Sequence, residues 1–165
     1  MKQTVRLLAL ALAFTAPSGA FAQSHLRIGI GDDPDALDPS LSRTYTARIV
    51  FATLCDKLFD IDDKANIGPQ LATGHETSAD GKTVTIKLRS GVKFHDGEVF
   101  DATAAKYSLD RHLNMKGSFR KPELAQVDTV EVVDSATIRL NLKRFARHKG
   151  GSFFQIGYCI VKLAS

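Results

Sequence analysis

Across residues 83–88 polar and apolar side chains alternate without a break. Thr83, Thr85 and Lys87 fall on one side of the chain, and Val84, Ile86 and Leu88 on the other. A period of two marks a half-buried strand, and β-branched residues suit its pleated surface. Asp80-Gly81, immediately upstream, supplies the positive φ of a tight hairpin turn. Downstream, Ser90-Gly91 and His95-Asp96-Gly97 bracket a short strand predicted at Val92–Phe94. Asp101 then sits where an N-cap belongs, ahead of a helix predicted from Ala102 to about Leu113. A second alternating pair, Val127–Val133 and Thr137–Leu142 around Asp134-Ser135-Ala136, predicts another hairpin. Its buried face should carry Val130, Val132, Ile138, Leu140 and Leu142.

Toward the N-terminus the pattern changes period. Leu26–Ile30 alternates weakly and predicts a first strand. Ser42 is the best N-cap for a helix predicted from about Arg43 to Leu58, with Ala47, Val50, Phe51, Leu54 and Leu58 as its apolar stripe. Phe59–Ile61 reads as a short strand, followed by a polar turn at Asp62–Asn66. The segment Asp32–Tyr45 would form a strand-to-helix crossover, and in open α/β folds ligands bind at that end of the strands. Asp32, Asp33 and Pro34, through their backbone groups, and Tyr45 and Thr46 are therefore candidate ligand-facing residues. A loop that only connects is the competing reading.

Motifs for chemistry are missing where they would be needed. Gly29-Ile30-Gly31 opens like a dinucleotide fingerprint, but Pro34 stands where the third glycine belongs, and Pro34 and Pro39 forbid an immediate helix. The acidic run Asp32–Asp38, read as a calcium loop from Asp33, puts Asp38 at the glycine position and Thr44 at that of the closing glutamate. His25, His75, His95, His112 and His148 form no zinc pattern with one another or with cysteine. His95-Asp96-Gly97 is explained by a turn. No GxSxG or SxxK places a nucleophile beside a base, and the carboxylates that lie together are in solvated loops. The expectation is a protein with no catalytic residues, no metal and no cofactor.

Charge is distributed unevenly. Between Gln23 and Leu142 there are 15 basic and 18 acidic residues, whereas Lys143–Ser165 holds five basic residues and no acids. The overall +4 therefore comes from the two ends, and the body lacks the basic face that nucleic acid requires. Lys2 and Arg6, the apolar run Leu7–Phe14 and the small-residue site Ala20-Phe21-Ala22 compose a secretory signal over residues 1–22, cleaved after Ala22. The apolar run is too short to span a ~30 Å hydrocarbon core, and no cysteine follows the cleavage site to take a lipid. The mature chain is thus expected in the periplasm. Two cysteines can pair there, but Cys55, beside an apolar stripe, reads as a buried free thiol.

The string DGKTVTIKLRSGVKFHDG (80–97), followed by YSLDR (107–111), resembles the N-terminal region of bacterial family 5 solute-binding proteins, the dipeptide and oligopeptide receptors of ABC importers. The resemblance extends upstream to LRIGIGDDPDALDPSLS (26–42) and downstream to VDTVEVVDSATIRLNLK (127–143). It departs at His75, where the family places tryptophan, and at Val84, where an aromatic is common. It implies an α/β fold: an incomplete periplasmic-binding-protein-like lobe with a small mixed β-hairpin and helix subdomain. It also implies a function, non-covalent capture of a peptide and its delivery to ABC permease subunits, by a monomer. Nickel complexes and opines are alternative solutes. Segment 32–46 would lie near the cleft between lobes.

Residues 23–143 therefore read as the N-terminal part of a family 5 domain. Residues 144–165, RFARHKGGSFFQIGYCIVKLAS, read as an anomalous basic tail, unstructured or frameshifted, that departs from the family near Lys143. A truncated, non-functional remnant is then the second functional reading. A fragment would also leave apolar surface uncovered, and 400 Å² of it forfeits on the order of 10 kcal/mol at ~25 cal/mol per Å², as much as a whole domain's stability. Marginal stability or aggregation is the expected consequence.

Overall fold

The computed structural model describes residues 26–143 and residue 160. The predicted signal segment and nearly all of the predicted tail lie outside the described residues.

The alternating segments pair into one antiparallel sheet. In chain order the elements are α1 (Tyr45–Leu54), β1 (Phe59–Ile61), β2 (Ile67–Pro69), β3 (Ala72–Thr77), β4 (Thr83–Leu88), α2 (Ala102–Asn114), β5 (Val127–Asp134) and β6 (Thr137–Leu142). The sheet runs β3-β4-β6-β5, and β1 with β2 makes a separate two-stranded ribbon. The expected β4 alternation is realised: Val84, Ile86 and Leu88 are buried. Ile86 lies opposite His75 on one side and Ile138 on the other. At the β3–β4 turn Gly81 takes φ +65°, and the Asp80 carboxylate accepts from Lys82 N at 3.0 Å.

Helix α2 covers the buried face of this sheet. Asp101 caps it as the sequence predicts, its carboxylate accepting from Ala104 N at 2.9 Å. The face it turns inward is built from Ala102, Ala104, Ala105, Ser108 and Leu109, and small side chains bring the helix axis close to the strands. Val127, Val130, Ile138, Leu140 and Leu142 complete the core, with Leu124 from the connection before β5.

Four expectations about elements are corrected. Leu26–Ile30 forms no strand: no partner lies beside it among the described residues, and Leu26 is 86% exposed. Val92–Phe94 is not a strand either, only a single bridge from Lys93 to Val99, because Phe94 N turns back at once to the Glu98 carbonyl at 2.8 Å. Val132 is exposed instead of buried: it keeps the register of Val130 but stands near the end of β5, the edge strand of the sheet. Helix α1 spans Tyr45–Leu54, shorter than predicted, and its N-cap is Thr44, which accepts from Ala47 N, not Ser42.

The substituted packing positions fit the fold without strain. Val84 is buried opposite Leu140 of β6, and His75 meets the Phe59 ring edge-on at 5.5 Å. Burial lowers the His75 pKa, favouring the neutral ring that this contact needs. Ile160 joins the same core: it is buried, and its N–H donates to the Asp56 carbonyl at 3.0 Å.

Candidate functional site

Why α1 starts late is explained by the acidic loop before it. The Asp35 carboxylate accepts from Arg43 N at 2.9 Å, from Thr44 Oγ1 at 2.9 Å and from Ser42 Oγ at 3.1 Å. These bonds hold residues 42–44 in an extended hook that cannot continue the helix backward. The amide of Arg43 is the main cause that lowers the Asp35 pKa, to about 2, with the Thr44 and Ser42 hydroxyls adding to it. The carboxylate thus completes the N-terminus of α1, where negative charge is favoured.

The second half of the loop is fastened to α2. Asp38 accepts from both terminal nitrogens of Arg111, one at 3.0 Å, and from Ser40 N at 2.8 Å. The hydrogen bond from Arg111 is the chief reason the Asp38 pKa is lowered, and Asp38 in turn raises that of Arg111. Arg111 also donates to Ser40 Oγ at 2.7 Å, and Ser40 Oγ lies 2.9 Å from Nδ1 of His112. Both residues are fully buried. Which of the two donates follows the His112 tautomer. Ser118 Oγ donates to the His112 carbonyl at 2.7 Å, Arg120 donates to the Ser42 carbonyl at 3.0 Å, and Phe119 N donates to the Ser40 carbonyl at 2.8 Å. The Arg43 guanidinium stacks 4.8 Å over the Phe119 ring. A serine and a histidine meet here, but both are sealed from solvent, so the pair is a structural joint.

The candidate residues share the loop-and-helix unit that this joint fixes. Asp32 and Asp33 are exposed and Pro34 half-buried at its start. Tyr45, 78% exposed, and Thr46, half-buried, occupy the first turn of α1. The acidic run is divided: Asp35 and Asp38 are spent on structure, whereas Asp32 and Asp33 face water. Sequence reasoning missed the Asp38–Arg111 pair, whose members lie 73 positions apart with no local signal to join them. The Asp35 hook was open to prediction, since an aspartate ahead of Ser42-Arg43-Thr44 is suited to capture their donors.

Among the described residues no three His, Cys, Asp or Glu side chains gather to hold a metal ion, and no helix is long and apolar enough to cross a membrane. The free-thiol reading of Cys55 is overturned: Cys55 is in a disulfide and only half-buried. Cys55 is the C-cap of α1, where the helical run ends.

The described residues form a small lobe with an ordered, outward-facing loop. Comparison with known proteins gives the family. Residues 66–160 match the profile of the bacterial extracellular solute-binding proteins, family 5 middle region. The chain is 36% identical over 140 residues to the glutathione-binding protein GsiB of Salmonella paratyphi A, covering 84% of this chain and 27% of that protein. Among solved structures, NikA from Brucella suis in complex with Fe(III)-EDTA is 33% identical, with a TM-score of 0.61 over 68% of this chain and 22% of its own. AgaA from A. tumefaciens R10, in complex with agropinic acid, is 31% identical, with a TM-score of 0.65 over 70% and 23%. The chain belongs to the family 5 bacterial extracellular solute-binding proteins. It spans about a quarter of the length of these relatives, and its fold is part of a periplasmic-binding-protein-like lobe of α/β class.

Proposed function

We propose that this chain is the N-terminal part of the periplasmic receptor of an ABC importer, and that its solute is a small peptide or peptide-like molecule handed on to the membrane permease. The observation that carries this reading is the relationship to GsiB. A match covering 84% of the chain leaves too few residues out to omit 32–46, so the loop and its joint fall inside it. Glutathione is itself a tripeptide, and capture of such a solute needs hydrogen bonds and an ordered surface, not a nucleophile. Asp32 and Asp33 supply negative charge for an ammonium group, Tyr45 an exposed ring, and Pro34 and Thr46 a stiff edge on which the solute lies.

Calorimetric titration tests this with glutathione, a dipeptide set, agropinic acid and a nickel–histidine complex as ligands. The expected result is heat of binding with peptides, weakened at least tenfold by Tyr45→Ala or Asp33→Asn. Binding of the opine or the nickel complex alone would favour the second reading, to which the structure of AgaA with agropinic acid points. Peptide affinity unchanged in both variants would remove the loop from the site.

A further inference from the structure

We propose that Arg43, held on the ring of Phe119, is a receptor for a carboxylate and takes the C-terminal end of the peptide solute; this assignment rests on the peptide reading above. Arg43 Cζ lies over the Phe119 ring, 4.8 Å from its centroid. Both residues are exposed, Phe119 to 42%. Their backbones are fixed to one loop: Arg43 N donates to the Asp35 carboxylate at 2.9 Å, and Phe119 N donates to the Ser40 carbonyl at 2.8 Å. The turn that carries Phe119 is fastened in its own right. Gly117 takes φ +80° there, Ser118 N donates to the Met115 carbonyl at 3.1 Å, and Ser118 Oγ donates to the His112 carbonyl at 2.7 Å. A long cationic side chain ordinarily loses rotamer freedom when it grips a ligand. Resting on an anchored ring, Arg43 has given up part of that freedom before the ligand arrives.

The charge at this place is unspent. The Arg43 guanidinium makes no ion pair among the described residues. Asp35 is close along the loop, but its oxygens accept from the Arg43 amide and from the Ser42 and Thr44 hydroxyls. Glu123 lies 3.0 Å from Arg120 and 3.8 Å from Arg48. Lys116 and Lys121, exposed on either side of Phe119 in sequence, likewise make no ion pair among the described residues. The surface is thus basic and aromatic in a body that holds more acids than bases. A planar fork of N–H donors matches the two oxygens of a carboxylate, and the neighbouring lysines add attraction at longer range. An ammonium group would meet only like charge here. Asp32 and Asp33 are of the opposite sign, so the loop offers each end of a peptide the charge it needs.

The test is calorimetric titration of the full chain with alanylalanine and with its C-terminal amide. The unaltered chain should bind the acid about tenfold more tightly than the amide. Arg43→Gln keeps the backbone amide that Asp35 holds, and it should erase this ratio by weakening the acid alone. Phe119→Leu keeps the charge but removes the ring face, and should cut the ratio to about threefold. If Arg43→Gln does not fold by circular dichroism, Arg43→Lys replaces it, with a ratio again reduced because the fork is lost. An undiminished ratio in the Arg43 variant would overturn the proposal and leave the peptide reading standing. If neither ligand gives heat, the peptide reading falls, and nitrogen-15 NMR of the arginine side chains with N-acetylalanine decides for the site. A shift of the Arg43 Nε–H resonance would uphold the carboxylate receptor; no shift would overturn it as well.

Discussion

Asp38 and Arg111 carry the join between the acidic loop and α2, and their worth follows from their surroundings. A fully exposed ion pair contributes about 0–1 kcal/mol. Here the side chains retain 26% and 22% of their exposure, and the guanidinium grips both carboxylate oxygens, a geometry that strengthens the bond. Asp38→Ala or Arg111→Ala should each cost about 1–2 kcal/mol, read from urea unfolding, and the double variant should cost less than the sum of the two. Acid should act on the same loop. The pKa of Asp35, about 2, lies below its ordinary 3.8, and that of Asp38 is lowered too. Their contribution is therefore complete above pH 3.8 and lost as pH falls through the lowered values. Circular dichroism from pH 5 to pH 2 should show acid unfolding in that window, with a shallower slope in Asp35→Asn. At this scale the sequence was half legible. Asp101 announced itself as a cap because its donors are three residues away. Cys55 and Arg111 did not, because their partners are fixed by tertiary structure and have no fixed offset in sequence.

Elements were easiest to read where one strong period met a core. β4 and β6 alternate cleanly, and α2 has both a capping aspartate and a helical face. Leu26–Ile30 alternates as well, yet forms no strand, because a strand is a property of two segments and periodicity describes one. β5 failed in the opposite way: Val132 lies on the face that counting by twos assigned to it, yet near the end of an edge strand it stays exposed. Two substitutions test the seat of α2. Asp101→Ala should cost about 1 kcal/mol by freeing the Ala104 amide. Ala105→Leu should cost about 1–3 kcal/mol, since Ala105 is wholly buried against the strands and a larger side chain forces the helix away. Chemical unfolding with an unchanged m-value checks both; a neutral Ala105→Leu would mean the helix sits more loosely than its burial shows.

On the scale of the whole molecule, the described residues leave a good deal of apolar surface in water. Leu26, Ile28, Leu37, Ile49 and Leu54 are exposed along with Tyr45, all in the N-terminal third. Scattered apolar residues on a surface are ordinary, but a run of them along one segment marks a contact face. The chain alone should therefore bind hydrophobic dye and self-associate at micromolar concentration, measurable by light scattering. A monodisperse monomer with a sharp, reversible thermal transition would contradict this. The family and fold were legible at this scale because several motifs fell in the right order. Stability was less so, because it depends on which faces are covered.

The rivets between loop and helix have a mechanical corollary. Arg111 of α2 and Arg120 of the connection after it hold residues 38–42, and α2 is itself seated on β5 and β6, so the segment has no private freedom to slide or tilt. A pull exerted at Tyr45 must be borne by the sheet, and a twist of the sheet must swing Tyr45. In a clamshell receptor this would make the strand-rich body a rigid handle for the jaw it is joined to, moving with it as a single piece.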